Sequence, residues 1–177
     1  MIEYILAGIV ILGIISILVV IGNNKISFVL IKIDKANEDI SLYLDKKYEL
    51  LERTRPIIKK ELKIDEFLDG IEAYNSFKED SFDSHNLLKS CYNELFKTLD
   101  NNEKLLKSES LNKILQELTD NEENIVGAIK FYNDTVVDYN KLVVSFPSRI
   151  LTFFRGCKKL DFYNNEKRER FGILNDN

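Results

Sequence analysis

The sequence predicts an all-α protein with one membrane-spanning helix, and three observations lead to this fold class. Only 2 of its 177 residues are proline and 7 are glycine, so few residues interrupt helices. An uncharged apolar run occupies Ile5–Gly22. After it, apolar residues recur at intervals of three and four, as in helices that bury one face. We therefore expect an N-terminal transmembrane helix followed by an up-down-up-down antiparallel four-helix bundle with two long and two shorter helices.

The first element is the apolar run, which we interpret as a membrane anchor within residues 1–24. Its 18 residues include 13 Ile, Leu or Val. As a helix they would span about 27 Å, close to the roughly 30 Å of a bilayer core. Tyr4 lies where an interfacial aromatic residue belongs. A cleaved signal peptide is the alternative, but MIEY before the run carries no basic side chain and GNNKISF after it is a poor cleavage site.

Basic residues after the apolar run predict the orientation of the chain. Lys25, Lys32 and Lys35 follow the run, whereas no Lys or Arg precedes it. Basic flanks of a membrane span stay on the cytoplasmic side. We therefore expect a single-pass protein with its N-terminus outside and the rest of the chain in the cytoplasm.

Four apolar stripes define the helices of the predicted bundle, which we place at residues 25–146. Pro56 predicts a kink in the first helix near Thr54–Arg55. We expect the first and fourth helices to be about twice as long as the other two, which leaves part of the long pair available to a second copy of the chain. The first three stripes comprise Ile33, Ala36, Ile40, Tyr43, Leu44, Tyr48, Leu51, Ile58 and Leu62, then Phe67, Leu68, Ile71, Tyr74 and Phe77, then Leu87, Leu88, Cys91, Leu95 and Leu99.

The fourth stripe is the most regular one and predicts a coiled-coil seam. Its apolar residues alternate steps of four and three along the chain. Tyr132 and Tyr139 are successive members of the seam, and Asn133 and Asn140 flank it. We expect the two asparagines to bond a neighbouring helix, with a contact to a partner protein as the alternative. The seam comprises Ile125, Ile129, Tyr132, Val136, Tyr139, Val143 and Phe146.

The fourth helix is predicted to end at Phe146–Pro147 and to return residues 147–177 to the bilayer. Proline restricts the residue before it and lacks the N–H that a helix needs. The following segment combines apolar and basic side chains, as interfacial membrane segments do. It either docks on lipid or plugs the open end of the bundle, and a polar tail follows it. The membrane-interface candidates are Tyr4, Lys25, Arg149, Ile150, Leu151, Phe153, Phe154, Arg155, Lys158 and Lys159.

A combination of short motifs resembles a known family. Tyr132–Asn133 is followed seven residues later by Tyr139–Asn140, then by Phe146–Pro147 and by the segment Arg155–Lys159 with Phe162. In this combination the chain resembles the LemA family of bacterial membrane-anchored helical proteins. The resemblance extends to LNKILQELTDNEENI and to ISLYLDKKYELLERT, although the chain has no Trp and places Pro56 four residues later than the family pattern.

The resemblance implies an architecture and no reaction. It implies an N-terminal transmembrane helix in a bacterial cell membrane, a cytoplasmic helical bundle and no established catalytic residues. The molecular role of the family is itself poorly defined.

Charge and motifs argue against catalysis and nucleic-acid binding. The formal net charge is −4, whereas nucleic acids bind basic faces. A di-iron site in a bundle needs Glu-x-x-His on two helices, and the single histidine, His85, falls in a predicted polar turn. The sequence contains no Gly-rich phosphate loop and no G-x-S-x-G motif. We expect no catalytic residue, no cofactor and no metal, and we expect Cys91 and Cys157 to be reduced thiols.

Two functions fit these expectations. The favoured one is a non-enzymatic membrane-anchored scaffold or adaptor whose cytoplasmic bundle engages protein partners or a second copy of itself. The alternative is a surface-exposed helical spacer or adhesin outside the membrane. The lysines after the apolar run favour the first, and the identity of any partner is not encoded in these patterns.

Overall fold

All regular structure in the described part of the chain is helical. The structure, a computed structural model, describes residues 1–76 and 81–163. Its α-helices are α1 (Ile2–Leu62), α2 (Ser81–Asp100), α3 (Glu109–Val144) and α4 (Ser148–Phe154). Two 3₁₀ segments, Asp69–Ser76 and Glu103–Lys107, lie in the connections on either side of α2. The predicted all-α class is confirmed, whereas the up-down-up-down bundle stays a prediction. Phe77 and the predicted polar tail from residue 164 onward lie outside the described residues.

The second predicted helix is the clearest difference between the prediction and the structure. Where an α-helix was expected, the chain forms the 3₁₀ segment Asp69–Ser76. Lys63 and Leu68 adopt left-handed backbone conformations, with φ of 54° and 52°, and such residues end helices. Arg55 then fixes the loop by donating from Nε to the carbonyl of Phe67 at 3.1 Å. These tertiary contacts override the local apolar spacing.

The first helix, α1, contains the predicted anchor and continues far beyond it. It has 61 residues and includes Pro56 in its interior. Within the described ranges, α1 is the one helix with a window long and apolar enough to cross a membrane, and none of that window is buried. Length and composition of this kind are shared by membrane anchors and signal sequences. The first buried residue of α1 is Ile26, four residues past the apolar run.

The chain divides into two compact units, each described by itself. Unit 1 comprises Met1–Ala36 with Phe131–Asn177, and unit 2 comprises Asn37–Lys130. The helices α1 and α3 each contribute residues to both units. The predicted division of the chain at residues 24 and 146 concerns the membrane and stays a prediction.

The core of unit 1 is built from one face of α1 and one face of α3. The part after α3 supplies further apolar side chains, because Leu151 of α4 and Cys157 beyond it pack against this core. The seam predicted for α3 includes two of the core residues, but Phe146 lies past the end of the helix and is 81% exposed. The buried core residues are Ile26, Val29, Ile33, Val136, Tyr139 and Leu142.

Unit 2 buries leucine and isoleucine side chains from all of its elements. The ring of Tyr74, in the first 3₁₀ segment, stacks on that of Tyr48 of α1, with centroids 4.7 Å apart. The Nδ2 of Asn121 in α3 donates to the carbonyl of Tyr43 in α1 at 2.9 Å. The buried aliphatic residues include Ile40, Leu44, Leu50, Leu51, Ile58, Leu68, Ile71, Leu88, Leu95, Leu99, Leu105, Leu111, Leu118 and Ile125.

Candidate functional site

The two Tyr-Asn pairs of α3 hold the extended segment 157–163, and we call this arrangement the Tyr-Asn clamp. Asn140 donates from Nδ2 to the carbonyl of Leu160 at 2.8 Å and accepts the N–H of Leu160 at Oδ1 at 2.9 Å. Asn133 accepts the N–H of Tyr163 at 2.8 Å. An asparagine amide can pair with the backbone in this way because it offers both a donor and an acceptor. The asparagines thus bind the chain's own C-terminal segment, not another helix.

The tyrosines of the clamp bind the same segment at two further points. The hydroxyl of Tyr132 donates to the carbonyl of Asp161 at 3.4 Å, and its ring meets that of Tyr163 edge-on at 6.1 Å. Tyr139 is buried in the core of unit 1, against which Cys157 also packs. Burial and the neighbouring thiol of Cys157 raise the pKa of Tyr139 to about 12. Tyr139 is therefore a structural part of this core.

Between α3 and the clamp, the chain turns twice and forms α4. The buried hydroxyl of Thr152 shares its one proton between the carbonyls of Val143, at 3.3 Å, and Arg149, at 3.1 Å, which ties α4 to the end of α3. The second turn follows at Gly156, whose φ of 65° favours glycine. These turns direct the chain back along α3 toward the clamp.

Two contacts fix α4 beside the point where the apolar run of α1 ends. Leu151 packs so closely on Gly22 that a Cβ added to this glycine would overlap with Leu151 Cδ1. Arg155 donates from Nη1 to Asn23 Oδ1 at 2.7 Å and to Ser27 Oγ at 3.3 Å. The C-terminal segment is therefore attached to the first turns of α1 beyond the run.

The other apolar side chains of this region are exposed, and we call them the Phe patch: Phe146, Ile150, Phe153 and Phe154. Phe153 is 79% and Phe154 82% exposed, and their rings meet edge-on at 5.9 Å. Leu151, by contrast, packs against the core of unit 1 and on Gly22.

The remaining membrane-interface candidates are also exposed. Tyr4 and Lys25 lie on α1, one before and one after the apolar run. Arg149, Lys158 and Lys159 surround the Phe patch in sequence, and Pro147 lies in the turn before α4. The structure thus brings the C-terminal candidates together with the α1 segment that carries Lys25.

A second candidate site lies in unit 2 and is built around a buried lysine. Lys47 is 1% exposed, and its Nζ pairs with Glu122 Oε2 at 2.5 Å. The same Nζ lies 4.8 Å from the ring centroid of Tyr92, a cation–π contact. Burial lowers the pKa of Lys47, and the bond to Glu122 opposes this effect. Because its ammonium is committed to these two groups, Lys47 joins the helices and presents no free nucleophile.

Two other polar residues, Asn121 and His85, lie in the same unit. Together with Lys47, Glu122 and Tyr92 we call them the buried polar cluster. Asn121 is fully buried, and its Oδ1 has no hydrogen-bond partner in the structure. His85 lies in α2 and is half-buried, so the predicted polar turn was wrong. Burial and the charge of Lys47 lower the pKa of His85. In residues 1–76 and 81–163, no group of three or more His, Cys, Asp or Glu residues could hold a metal ion.

Sequence reasoning missed this cluster, although a signal was present. Lys47 falls in phase with Ile40, Leu44 and Leu51, all of which are buried. A lysine at a core position of an apolar stripe indicates a paired buried charge, because an unpaired one is too costly. Asn121 occupies a similar position in α3, between Leu118 and Ile125.

The sequence comparisons decide the family of the chain. The model of the LemA family matches residues 38–172, which are 135 of the 177 residues. The chain belongs to the LemA family. The LemA match covers the Tyr-Asn clamp and the buried polar cluster, and it leaves the apolar run outside. No curated protein sequence matches the chain.

Proposed function

We propose that this LemA-family protein is a non-enzymatic, single-pass scaffold of the bacterial cell membrane whose cytoplasmic part engages partner proteins or a second copy of itself. The supporting observation is the continuity of α1, which carries the exposed apolar run and the core of unit 1 in one helix of 61 residues. Cleavage after the run would cut this helix beside Asn23 and Ser27, to which Arg155 bonds. A retained anchor is therefore favoured over a signal peptide.

The basic residues of α1 support the cytoplasmic side. Lys25, Lys32 and Lys35 follow the run within thirteen residues, and no Lys or Arg precedes it. The surface-exposed spacer or adhesin requires the opposite orientation. The distribution of basic residues around the run disfavours that orientation.

The polar groups of both candidate sites support a structural role. Asn133 and Asn140 bind backbone groups, and Lys47 binds Glu122. These bonds hold elements of the fold together, and none of these groups is positioned by another as a nucleophile and its base would be.

Exposed apolar residues on α1 support contacts with other proteins. Phe28 is 58% and Ile31 65% exposed, and their spacing of three places them on one face of the helix. This face is distinct from the one that carries Ile26, Val29 and Ile33 in the core. The Nζ of Lys32 lies 4.6 Å from the ring centroid of Phe28, which adds charge to the same surface.

Membrane topology in cells tests the proposal. The full chain with a C-terminal tag should stay in the membrane pellet after alkaline extraction. In intact cells stripped of their outer layers, protease should spare the tag, and permeabilisation should make it cleavable. A tag that is cut in intact cells favours the spacer or adhesin, and a chain released by alkali removes the anchor.

The partner-engaging part has a separate test. Cross-linking of the full chain in its membrane should give homo-oligomers or specific adducts, and Phe28→Ser with Ile31→Ser should reduce them several-fold. The matched control is Lys104→Ser with Lys107→Ser, exposed residues of unit 2. A chain that stays monomeric and uncross-linked at native abundance contradicts the scaffold.

A further inference from the structure

We propose that α4 and its flanks are a second membrane-binding element, which inserts the Phe patch into the headgroup region of an anionic bilayer leaflet. The inference rests on the proposed function, because the anchor brings this segment to the membrane. The occupant of the patch is a phospholipid surface, recognised by aromatic insertion and by positive charge.

Exposure of the Phe patch is the first observation. Phe146, Phe153 and Phe154 are each about four-fifths exposed, and they lie within nine residues of one another. Single exposed apolar residues are common on protein surfaces, whereas contiguous apolar patches mark binding sites. Aromatic residues with basic neighbours on a short helix are typical of segments that lie in the membrane interface.

The position of α4 within unit 1 is the second observation. Leu151 contacts Gly22, the last residue of the apolar run, and Arg155 bonds to Asn23 and Ser27. At a rise of about 1.5 Å per residue, Gly22 to Ser27 covers roughly 8 Å. A headgroup layer is about 5–8 Å thick on each side of a bilayer core. A membrane anchor that ends at Gly22 therefore places α4 at the depth of the headgroups.

The charge of the segments that surround the patch is the third observation, and it favours lipid over a second copy of the chain. Residues 22–33 and 142–160 contain no Asp or Glu. The same segments contain Lys25, Lys32, Arg149, Arg155, Lys158 and Lys159. A leaflet with anionic headgroups attracts such a surface, whereas docking the Phe patch on the Phe patch of a second copy would bring like charges together.

Contacts within unit 1 hold α4 and the Phe patch in place. Thr152 and Leu151 hold α4 on the core, and Asn140 of the clamp holds the chain that leaves it. Insertion of the phenylalanines therefore requires no unfolding of unit 1. A bilayer-bound α4 fixes the angle at which α1 leaves the membrane, because α1 is then attached to the surface at a second point.

The chain has no tryptophan, so a single one reports on the patch. Phe154→Trp, the patch reporter, is made in the full chain, which is reconstituted into vesicles of phosphatidylcholine and phosphatidylglycerol. The matched control is Phe131→Trp, the helix reporter, at a partly exposed position of α3 in the same unit, thirteen residues before the end of that helix at Val144. Both variants are tested with brominated lipids and with a water-soluble quencher.

We expect lipids brominated near the headgroup to quench the patch reporter at least twofold more than the helix reporter, and the water-soluble quencher to show the reverse. A patch reporter as accessible to water as the helix reporter overturns the inference. A patch reporter that is shielded from water but not quenched by brominated lipid also overturns it, since the patch is then covered by protein.

Charge is tested in the Phe154→Trp background. Arg149→Gln, Lys158→Gln and Lys159→Gln together should lower lipid quenching of the patch reporter in the anionic vesicles to the value found in pure phosphatidylcholine. The matched control replaces Lys104, Lys107 and Lys113, exposed residues of unit 2, with Gln and should leave quenching unchanged. The variant that carries Phe154→Trp alone keeps all of its basic residues. If lipid quenches this variant equally in anionic vesicles and in pure phosphatidylcholine vesicles, the recognition of anionic lipid is overturned.

Alkaline extraction of the same vesicles separates failure of the inference from failure of the proposed function. A chain that resists extraction while the patch reporter is exposed to water keeps its anchor, and only the docking of α4 is refuted. A chain released by alkali lacks the anchor, and both proposals fall.

Discussion

Unit 2 buries one charged side chain against its partners, whereas the basic side chains around α4 in unit 1 are exposed. In unit 2 the ammonium of Lys47 is buried against Glu122 and Tyr92, and the cluster joins helices to each other. In unit 1 the buried polar contacts are made to the backbone of the C-terminal segment, while Arg149 and the lysines after α4 remain in solvent. We propose from this comparison that unit 2 supplies stability and that unit 1 supplies the binding surface.

The two units also differ in how a substitution should affect them. Removing one member of a buried ion pair leaves an uncompensated charge, which is costly. Removing a side chain that bonds to the backbone of an extended segment frees that segment locally. Substitutions in unit 2 should therefore lower global stability, and substitutions in the clamp should release one segment.

The largest expected effect is that of Glu122→Gln in unit 2. It leaves Lys47 buried without its counter-ion and should lower the free energy of unfolding by about 3 kcal/mol. Denaturant unfolding of the full chain in micelles measures it. The matched control is Glu123→Gln, an exposed neighbour in the same helix, which should change stability by less than about 0.5 kcal/mol.

The double variant Lys47→Met with Glu122→Leu sharpens this result. Both charges are then removed, and the free energy of unfolding should return to within about 1 kcal/mol of the original value. If the double variant is as unstable as Glu122→Gln alone, the ion pair is not the reason for the instability.

The second effect concerns the clamp in unit 1. Asn140→Ala removes both bonds to Leu160 and should lower stability by about 2 kcal/mol, with the loss concentrated at the C-terminal segment. Hydrogen exchange at the amide of Leu160 measures it directly and should speed up by at least tenfold. Asn124→Ala, at an exposed position of α3, is the control. Unchanged exchange at Leu160 contradicts the clamp.

A smaller effect is expected from the titration of Tyr139. Its pKa is raised to about 12 in the folded chain and lies near 10 in the unfolded chain. Between these values the unfolded state loses its proton first, so stability falls as pH rises from 10 to 12, by at most about 2 kcal/mol. Unfolding experiments should show that Tyr139→Phe removes this part of the alkaline loss. An identical pH dependence in the variant refutes the assignment.

The smallest effect is expected where α4 meets α1. Gly22→Ala gains helix propensity but displaces Leu151, so the two effects largely cancel. Leu151→Ala makes room for the added methyl group. A double-mutant cycle should give a favourable coupling of about 1 kcal/mol between the two positions. A coupling near zero means that Leu151 does not pack on Gly22.

Helix periodicity made much of this fold predictable. The stripes of the third and fourth predicted helices correspond to α2 and α3. Each of these helices buries one face, so its apolar residues recur every three or four positions and can be recognised from the sequence of that helix alone. The apolar run likewise predicts its own helix by composition. The 3₁₀ segment at Asp69–Ser76 was not predictable, because contacts of Arg55 from another element determine it.

The candidate sites were predictable only in part. The Tyr-Asn repeat indicated that Asn133 and Asn140 bind something, but their partner is backbone thirty and twenty residues away, which no local pattern specifies. The Phe patch was found as an amphipathic segment, and only the structure shows that Leu151 turns inward while Phe153 and Phe154 remain exposed.

The central claim is that the C-terminal segment is attached beside the end of the apolar run of α1, and a disulfide tests it most directly. Cys91 and Cys157 are replaced by Ser, and Gly22→Cys is combined with Leu151→Cys in the full chain within its membrane. We predict a disulfide within one chain under mild oxidation, because the side chain of Leu151 lies directly against the Cα of Gly22 where a Cβ would be added. The pair Gly22→Cys with Ile150→Cys, an exposed neighbour, should not form one. Links only between different chains, or equal linking of both pairs, would contradict the account.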